Sequence, residues 1–229
     1  MNEICESAAS AIDRLRPGDV FACDEPMTDY LTRTQFLSSS NLRKKMVRVE
    51  GEKNRQTKSL HRGQLFHELM LTKDIKPVSE VTYVGVHDSE QKALRLAQEA
   101  LMGWSDGEWS SWTSQGICDR SIYWRDETGH RWRARPDLII DGLIVDLKTF
   151  TSSNMRRFLK HEDRKGFLIQ AGHYIDACQR AYRKTFSFSF LCLSFSNPIT
   201  ITLDSLSDED VERANMLLRK SKAGILSGC

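Results

Sequence analysis

The chain has 229 residues, 40% of them hydrophobic and 28% charged, and its 33 Lys and Arg against 31 Asp and Glu give a formal net charge of +2. That length and apolar content suit a globular domain that buries a core, and they exclude a chain kept disordered by low hydrophobicity and high net charge. No apolar run approaches the roughly 18 residues of a membrane span, the first residues lack a basic-then-apolar leader, and the six cysteines form no Cys-x-x-Cys pair, so a cytoplasmic protein without a disulfide or zinc scaffold is expected.

Residues 1–29 carry little pattern and are set apart as an appendage to a domain spanning 30–229. A short helix is expected over 6–15, stopped by Pro17-Gly18, and another with a basic end over 34–45. Over 57–72, Leu60, Gly63, His67 and Met70 fall on one helical face, which Leu65, Phe66 and Leu69 widen. Glycine inside a helix costs about 1 kcal/mol relative to alanine, so Gly63 points to a close approach to a strand. Taken alone, His67 reads first as a core histidine bonded to a carbonyl. Residues 77–87 read as loop and short strand, and 89–102 as an amphipathic helix capped by Ser89 and ended by Gly103. The segment from Trp104 to Gln115 holds three tryptophans. Packing over the core is the commoner use of such a segment, and stacking on bases at a single-strand end is the alternative.

A meander of three strands is expected over 117–124, 131–140 and 143–149. Asp141-Gly142, between two apolar runs, is a strong hairpin signal. A two-residue loop there sets Ile140 opposite Leu143, Ile139 opposite Ile144, Leu138 opposite Val145, and Asp137 opposite Asp146. Alternation then gives a core face of Leu138, Ile140, Leu143, Val145 and Leu147, and puts Lys148 on the face of Asp146 with Arg135 across from it. Directly opposed carboxylates, their Cβ atoms about 4.5–5.5 Å apart, repel each other. A divalent cation between them removes that repulsion, since Mg²⁺ is held by one or two carboxylates together with phosphate oxygens. An exposed polar hairpin face with coincidental charges is the plain alternative.

Further helices are expected over 152–161 and 167–182. The second carries a stripe of Phe167, Ala171, Tyr174, Cys178 and Tyr182, with Gln170 one turn before Tyr174 and with His173 and Asp176 outward. Residues 185–195 read as a strand entering the sheet centre and 199–203 as its neighbour. Ser207 caps a last helix whose inner face, Val211, Ala214, Leu217 and Leu218, covers the sheet. Basic residues crowd between Arg43 and Arg62 and between Arg156 and Lys165. Such runs are usually solvated faces, and they become phosphate contacts where they flank a site.

Pro136-Asp137 followed by Asp146-Leu147-Lys148 resembles the core of the PD-(D/E)XK nuclease superfamily. Gly63 to His67 lies before it, Asp119 to Gly129 leads into it, and Gln170-Ala-Gly-His-Tyr174 follows. This ordered set, over about residues 30–222, is similar to the RecB-like branch and most of all to RecE-type exonucleases of phages and prophages. Asp119 stands where the resemblance leads one to expect Glu. The resemblance implies an α/β fold, a mixed central β-sheet flanked by helices. It implies Mg²⁺, or Mn²⁺, held by His67, Asp137, Asp146 and the Leu147 carbonyl, with Asp137, Asp146 and Lys148 as the catalytic set. Asp119 would be a further ligand or act through water, and Gln170, Tyr174 and Arg135 would face DNA.

The activity so implied is 5′→3′ digestion of linear double-stranded DNA from its ends. It leaves a 3′ single strand for an annealing protein, within a bacterial host cell, by a ring-shaped homo-oligomer of phage or prophage origin. Rival readings on the same core are a structure-selective endonuclease, a single-strand exonuclease, and a non-catalytic DNA-binding module. The intact acids and lysine weigh against the last. A small-molecule hydrolase would need a Gly-rich phosphate loop or a nucleophile elbow, and the sequence has neither.

Overall fold

Asp141 and Gly142 both take left-handed backbone, with φ of 42° and 81°, as a tight two-residue hairpin turn demands. They join β5 (Leu138–Ile140) to β6 (Leu143–Phe150), paired as Leu138 with Val145, Ile139 with Ile144 and Ile140 with Leu143. This is the register expected from the Asp-Gly pair. A computed structural model describes residues 2–46, 58–72, 75–76, 87–161 and 164–226. The expected loop and strand over 77–87 fall almost wholly outside them.

Before the hairpin the chain forms α1 (Asn2–Asp13), β1 (Val20–Cys23), α2 (Met27–Thr32), α3 (Ser39–Met46), α4 (Lys58–Met70) and α5 (Asp88–Met102). A 3-10 turn at Trp104–Gly107 leads to α6 (Glu108–Gln115), β2 (Ile117–Cys118), β3 (Ser121–Arg125) and β4 (Arg131–Ala134). After the hairpin come α7 (Ser152–Leu159), α8 (Lys165–Tyr182), β7 (Ser187–Ser194), β8 (Thr200–Ser205) and α9 (Asp208–Leu226). Among the described residues the strands form a five-stranded sheet, β2-β5-β6-β7-β8, and a three-stranded sheet, β1-β3-β4. In the larger sheet β6 and β7 run parallel and the other neighbours antiparallel. The class is therefore α/β with a mixed sheet and helices on both faces.

Alternation along the central strands builds a core on each face. Leu138, Val145, Leu147, Leu191 and Leu193 meet Phe66, Leu69 and Met70 of α4, Leu94 and Leu101 of α5, and Trp109 of α6. Ile144, Phe188 and Phe190 point the other way, onto α7 and α8, with Phe158 and Phe190 edge to face at 5.2 Å. Edge-to-face ring pairs of this kind add about 0.5–1.5 kcal/mol beyond the area they bury.

The expected single meander is divided. β2 pairs with β5, whereas β3 pairs with β4 and β1 in the other sheet. The corners lie at Asp119, whose φ is 52°, and at Arg135-Pro136. Proline cannot donate to a ladder and confines the residue before it to extended backbone, so both strands change sheet there. A hydrogen bond from Asp119 N–H to Asp137 O, 2.9 Å, ties the corners together. Residues 1–29, expected as an appendage, supply β1 to the smaller sheet and Ile12 and Leu15 to the core beneath it.

Other expectations shift by a turn or a layer. The basic-ended helix expected over 34–45 starts later, as α3 at Ser39, and a separate short helix, α2, ends before it at Thr32. The cap of α5 is His87, which accepts from Ser89 N–H, and not Ser89. Ser207 does cap α9, accepting from Asp210 N–H at 3.2 Å. But α9 packs chiefly on α8 and α3, meeting the smaller sheet where Lys222 lies over the Trp124 and Trp132 rings, and a Cβ at Gly172 would stand 2.9 Å from Ala214 O. Enclosed by the sheets and by α9, α8 is buried nearly all round.

His173, expected outward on α8, is consequently 0% exposed. It lies between Trp124 and Trp132 and donates from Nε2 to Arg133 O at 2.8 Å. Burial pushes its pKa down to about 4. Between pH 4 and 6.5 the unfolded chain binds a proton here that the folded chain refuses, so stability rises with pH across that window. The contribution is about 3 kcal/mol at most, present above pH 6.5 and lost as pH falls toward 4. Urea unfolding at pH 5 and pH 7 is expected to show a stability gap that narrows in His173→Gln. An unchanged gap would assign the pH dependence to other groups.

Candidate active site

The hairpin delivers two acids to one end of the larger sheet. β6 holds Asp146 beside Phe190 and Lys148 beside Cys192 on β7. Asp137 lies one residue before β5, where the ladder ends, and its Oδ2 accepts the Leu147 N–H at 2.8 Å. From the opposite side α4 brings in His67, with Nδ1 3.5 Å from Asp137 Oδ2 and a hydrogen bond between its ring and the Leu147 backbone. The helix can come this near because residue 63 is glycine: a Cβ there would lie 2.6 Å from Thr149 Oγ1. Thus His67, Asp137, Asp146, Leu147 and Lys148 are brought together.

The electrostatics of this group are those of charge held out of water. Asp146 is 0% exposed and its Oδ1 has no hydrogen-bond partner, while Oδ2 touches the Lys148 ammonium. Burial pushes the Asp146 carboxyl up to about 6 and that of Asp137 up to about 7, the Lys148 charge opposing both. Burial likewise pushes His67 down to about 4, with Lys148 next in effect. The imidazole is therefore neutral near pH 7, the state in which it can offer a lone pair.

As the chain stands, no three His, Cys, Asp or Glu side chains among the described residues close to the spacing of a metal site. The ammonium of Lys148 lies on the carboxylate that would otherwise meet a cation. The donor set itself, two carboxylates, a neutral imidazole and a backbone carbonyl, suits a hard divalent ion. The unpartnered Asp146 Oδ1 is the kind of orphan that such an ion satisfies.

Asp119 sits on the corner between β2 and β3, not within a strand, and its N–H is bonded to Asp137 O. Its carboxyl is raised by burial, with Arg135 the foremost opposing charge. Arg135 does not stand across from Lys148 as the hairpin register had suggested. Its guanidinium turns into the smaller sheet, toward Asp119, Ser121 and Glu25. Gln170 and Tyr174 are adjacent on α8, Nε2 donating to the phenol oxygen at 3.0 Å, and Gln170 Oε1 is buried without a partner. Burial and then the Asp146 and Asp137 charges push the Tyr174 phenol well up.

Tyr30 was not singled out by the sequence. It lies under the Arg133 and Arg135 guanidiniums at 4.5 and 5.8 Å, and nothing in a tyrosine amid Asp29 and Leu31 signals that position.

The tryptophan segment packs. Trp109 is fully buried and donates to Met70 O at 3.2 Å, and Trp104 meets Trp112 edge to face at 5.7 Å against the α4 and α5 core. The basic runs divide as well. Arg156, Arg157 and Lys160 are exposed on or just beyond α7, but Arg164 is buried against Asp204, Arg62 pairs with Glu90, and Arg43 lies over Phe167. Arg48, Lys53 and Arg55 fall outside the described residues. Cys178 and Cys192 are buried, and Cys23 and Cys118 are half-buried. None of the described helices is long and apolar enough to cross a membrane.

The model of a family described as a PDDEXK-like domain of unknown function (DUF3799) matches residues 67–223. A crystal structure from Eubacterium rectale, named as a presumptive exonuclease, superposes with a TM-score of 0.63 at 14% identity, over 89% of this chain and 86% of that one. An alkaline exonuclease from Laribacter hongkongensis gives a TM-score of 0.41 at 9% identity, over 89% of this chain and 94% of that one. No curated protein matches the sequence. The first of these structures shares the fold, and the family match covers the whole group from His67 through Tyr174.

Proposed function

This chain belongs to the PDDEXK-like domain family, and from that premise we propose that it is a divalent-metal-dependent deoxyribonuclease, a 5′→3′ exonuclease acting on linear double-stranded DNA. The observation that carries the nuclease reading is Asp146, a fully buried carboxylate with one unpartnered oxygen, set beside Asp137 and Lys148. A fold gains nothing from such a pair of acids unless a positive group joins them.

Nucleases of this kind generally use divalent metals. Asp137, Asp146, His67 and the Leu147 carbonyl would hold Mg²⁺ or Mn²⁺. Such an ion supplies neutralising charge at a phosphate oxygen and makes water acidic enough to attack near neutral pH. Lys148 would leave Asp146 for the phosphate, where its ammonium offsets the charge that builds as the phosphodiester breaks, or, as a neutral amine, would take a proton from the attacking water. Gln170 and Tyr174 would present an amide and a phenol to the strand being cut. The direction of digestion, a ring-shaped homo-oligomer around the duplex and delivery of the 3′ strand to an annealing protein rest on the resemblance to RecE-type exonucleases.

The test is digestion of 5′- and 3′-labelled linear duplex and of covalently closed circle, with Mg²⁺, with Mn²⁺ and with EDTA. Progressive loss from 5′ ends that spares the circle and stops in EDTA is the expected result. Cutting of the circle would make the protein an endonuclease, and binding without cutting in either metal would make it a DNA-binding module.

A further inference from the structure

The residue that resists its expected role is Arg135. It directly follows β4, two positions before Asp137, yet its side chain is only 9% exposed and turned inward. Its Nε lies 3.4 Å from Asp119 Oδ1, and its Nη1 donates to Ser121 Oγ at 2.8 Å and to Glu25 O at 3.0 Å. The guanidinium also lies 5.8 Å from the Tyr30 ring centre. Three acceptors from two parts of the chain, the Asp119–Ser121 corner and Glu25, therefore share one planar fork, which a lysine, as a point charge on a flexible stem, cannot reproduce. Asp119 sits on a left-handed corner with its N–H fixed to Asp137 O at 2.9 Å, so its backbone is pinned and its carboxylate direction is left to Arg135. Arg135 also draws down the Asp119 and Asp137 carboxyls, which burial raises.

We propose that Arg135 is a positioning residue that aims Asp119 at the Asp137 and His67 side of the site, and that through Glu25 and Tyr30 it makes residues before the matched 67–223 span part of the active centre. The proposal rests on the nuclease reading and replaces the expectation that Arg135 contacts DNA. Glu25 and Tyr30 are tied down in turn. Glu25 accepts from the Tyr123 hydroxyl and from Arg33, and Tyr30 O accepts from Arg133.

The experiment compares wild type with Arg135→Met, Asp119→Asn and the double variant, adding Ser121→Ala in case Arg135→Met folds poorly. Cleavage by Arg135→Met is expected to fall about 10- to 100-fold in kcat, the range that misplacement of a reacting group produces. KM for DNA should stay within about twofold, and the double variant should be no slower than Asp119→Asn, since a residue acting through another shows no separate effect once that other is gone. Arg135→Lys should fail to restore the rate. Ser121→Ala should lower kcat less than Arg135→Met and add nothing to Asp119→Asn.

Duplex binding in EDTA should keep its salt dependence. A lost phosphate contact would lower the slope of log K against log salt by about one. Such a drop, or multiplication of the two single losses in the double variant, overturns the proposal. If wild type cuts no DNA, the nuclease reading falls on that result alone. The Arg135–Asp119 link is then decided by urea midpoints, where non-additive shifts support it and additive shifts overturn it.

Discussion

Replacing Asp146 with Asn is expected to lower DNA cleavage by about 10³-fold or more, the scale on which removal of a group that acts as one unit with its neighbours is felt, without lowering the stability of the metal-free protein. The site holds two buried carboxylates against one ammonium, and Asp146 Oδ1 has no hydrogen-bond partner. Asn keeps the shape and removes one unsatisfied charge, leaving Lys148 and Asp137 as a balanced pair. The metal-free urea midpoint should therefore hold or rise. Addition of Mn²⁺ should raise the wild-type midpoint, because whatever binds only the folded state stabilises it, and should leave that of Asp146→Asn where it is. Retained cleavage, or undiminished stabilisation by Mn²⁺ in the variant, would remove Asp146 from the site.

Lys148→Met separates a ligand from a group that works on the proton or the phosphate. Cleavage is expected to fall about 10²- to 10⁴-fold, the usual worth of a placed acid or base. Mn²⁺ affinity should move the opposite way. The Lys148 ammonium lies on Asp146 and is 16% exposed, so it competes for the carboxylate that a cation needs, and methionine keeps the stem while removing the competitor. Calorimetric titration of wild type and variant with Mn²⁺ checks this. Weaker binding in Lys148→Met would mean that the lysine helps to build the site and does not stand in the cation's place.

Much of the site was legible because it depends on local rules. Asp141-Gly142 dictated a turn, the turn dictated a register, and the register brought Asp137 and Asp146 to the same end of one hairpin. Gly63, one turn before His67, announced a close helix–strand approach, and Thr149 is what it approaches. What escaped depends on tertiary enclosure. A hydrophobic stripe on α8 suggested an outer face for His173, but a helix caught between two sheets and α9 has no outer face there. The division of the meander was signalled faintly by Pro136 and by the polar Asp119-Arg120 within an apolar run. The role of residues 20–30 was not signalled, since β1 is only four residues long and its partner β3 lies about a hundred positions away.

The parallel pairing of β6 with β7 bears on how the chain reaches its fold. The hairpin carrying both acids closes over two residues, a fast and cheap event, whereas β7 reaches its place only after the whole of α7 and α8 has been laid down between them. Loop closure of that length is the slower step. Until it happens, the Leu143–Phe150 edge is an open template of alternating apolar groups, the kind that recruits other chains. A nascent or truncated chain ending before residue 187 would keep every acid of the site and lose the strand that shields them. The chemistry is encoded early and locally, while the dry surroundings that give it force arrive last.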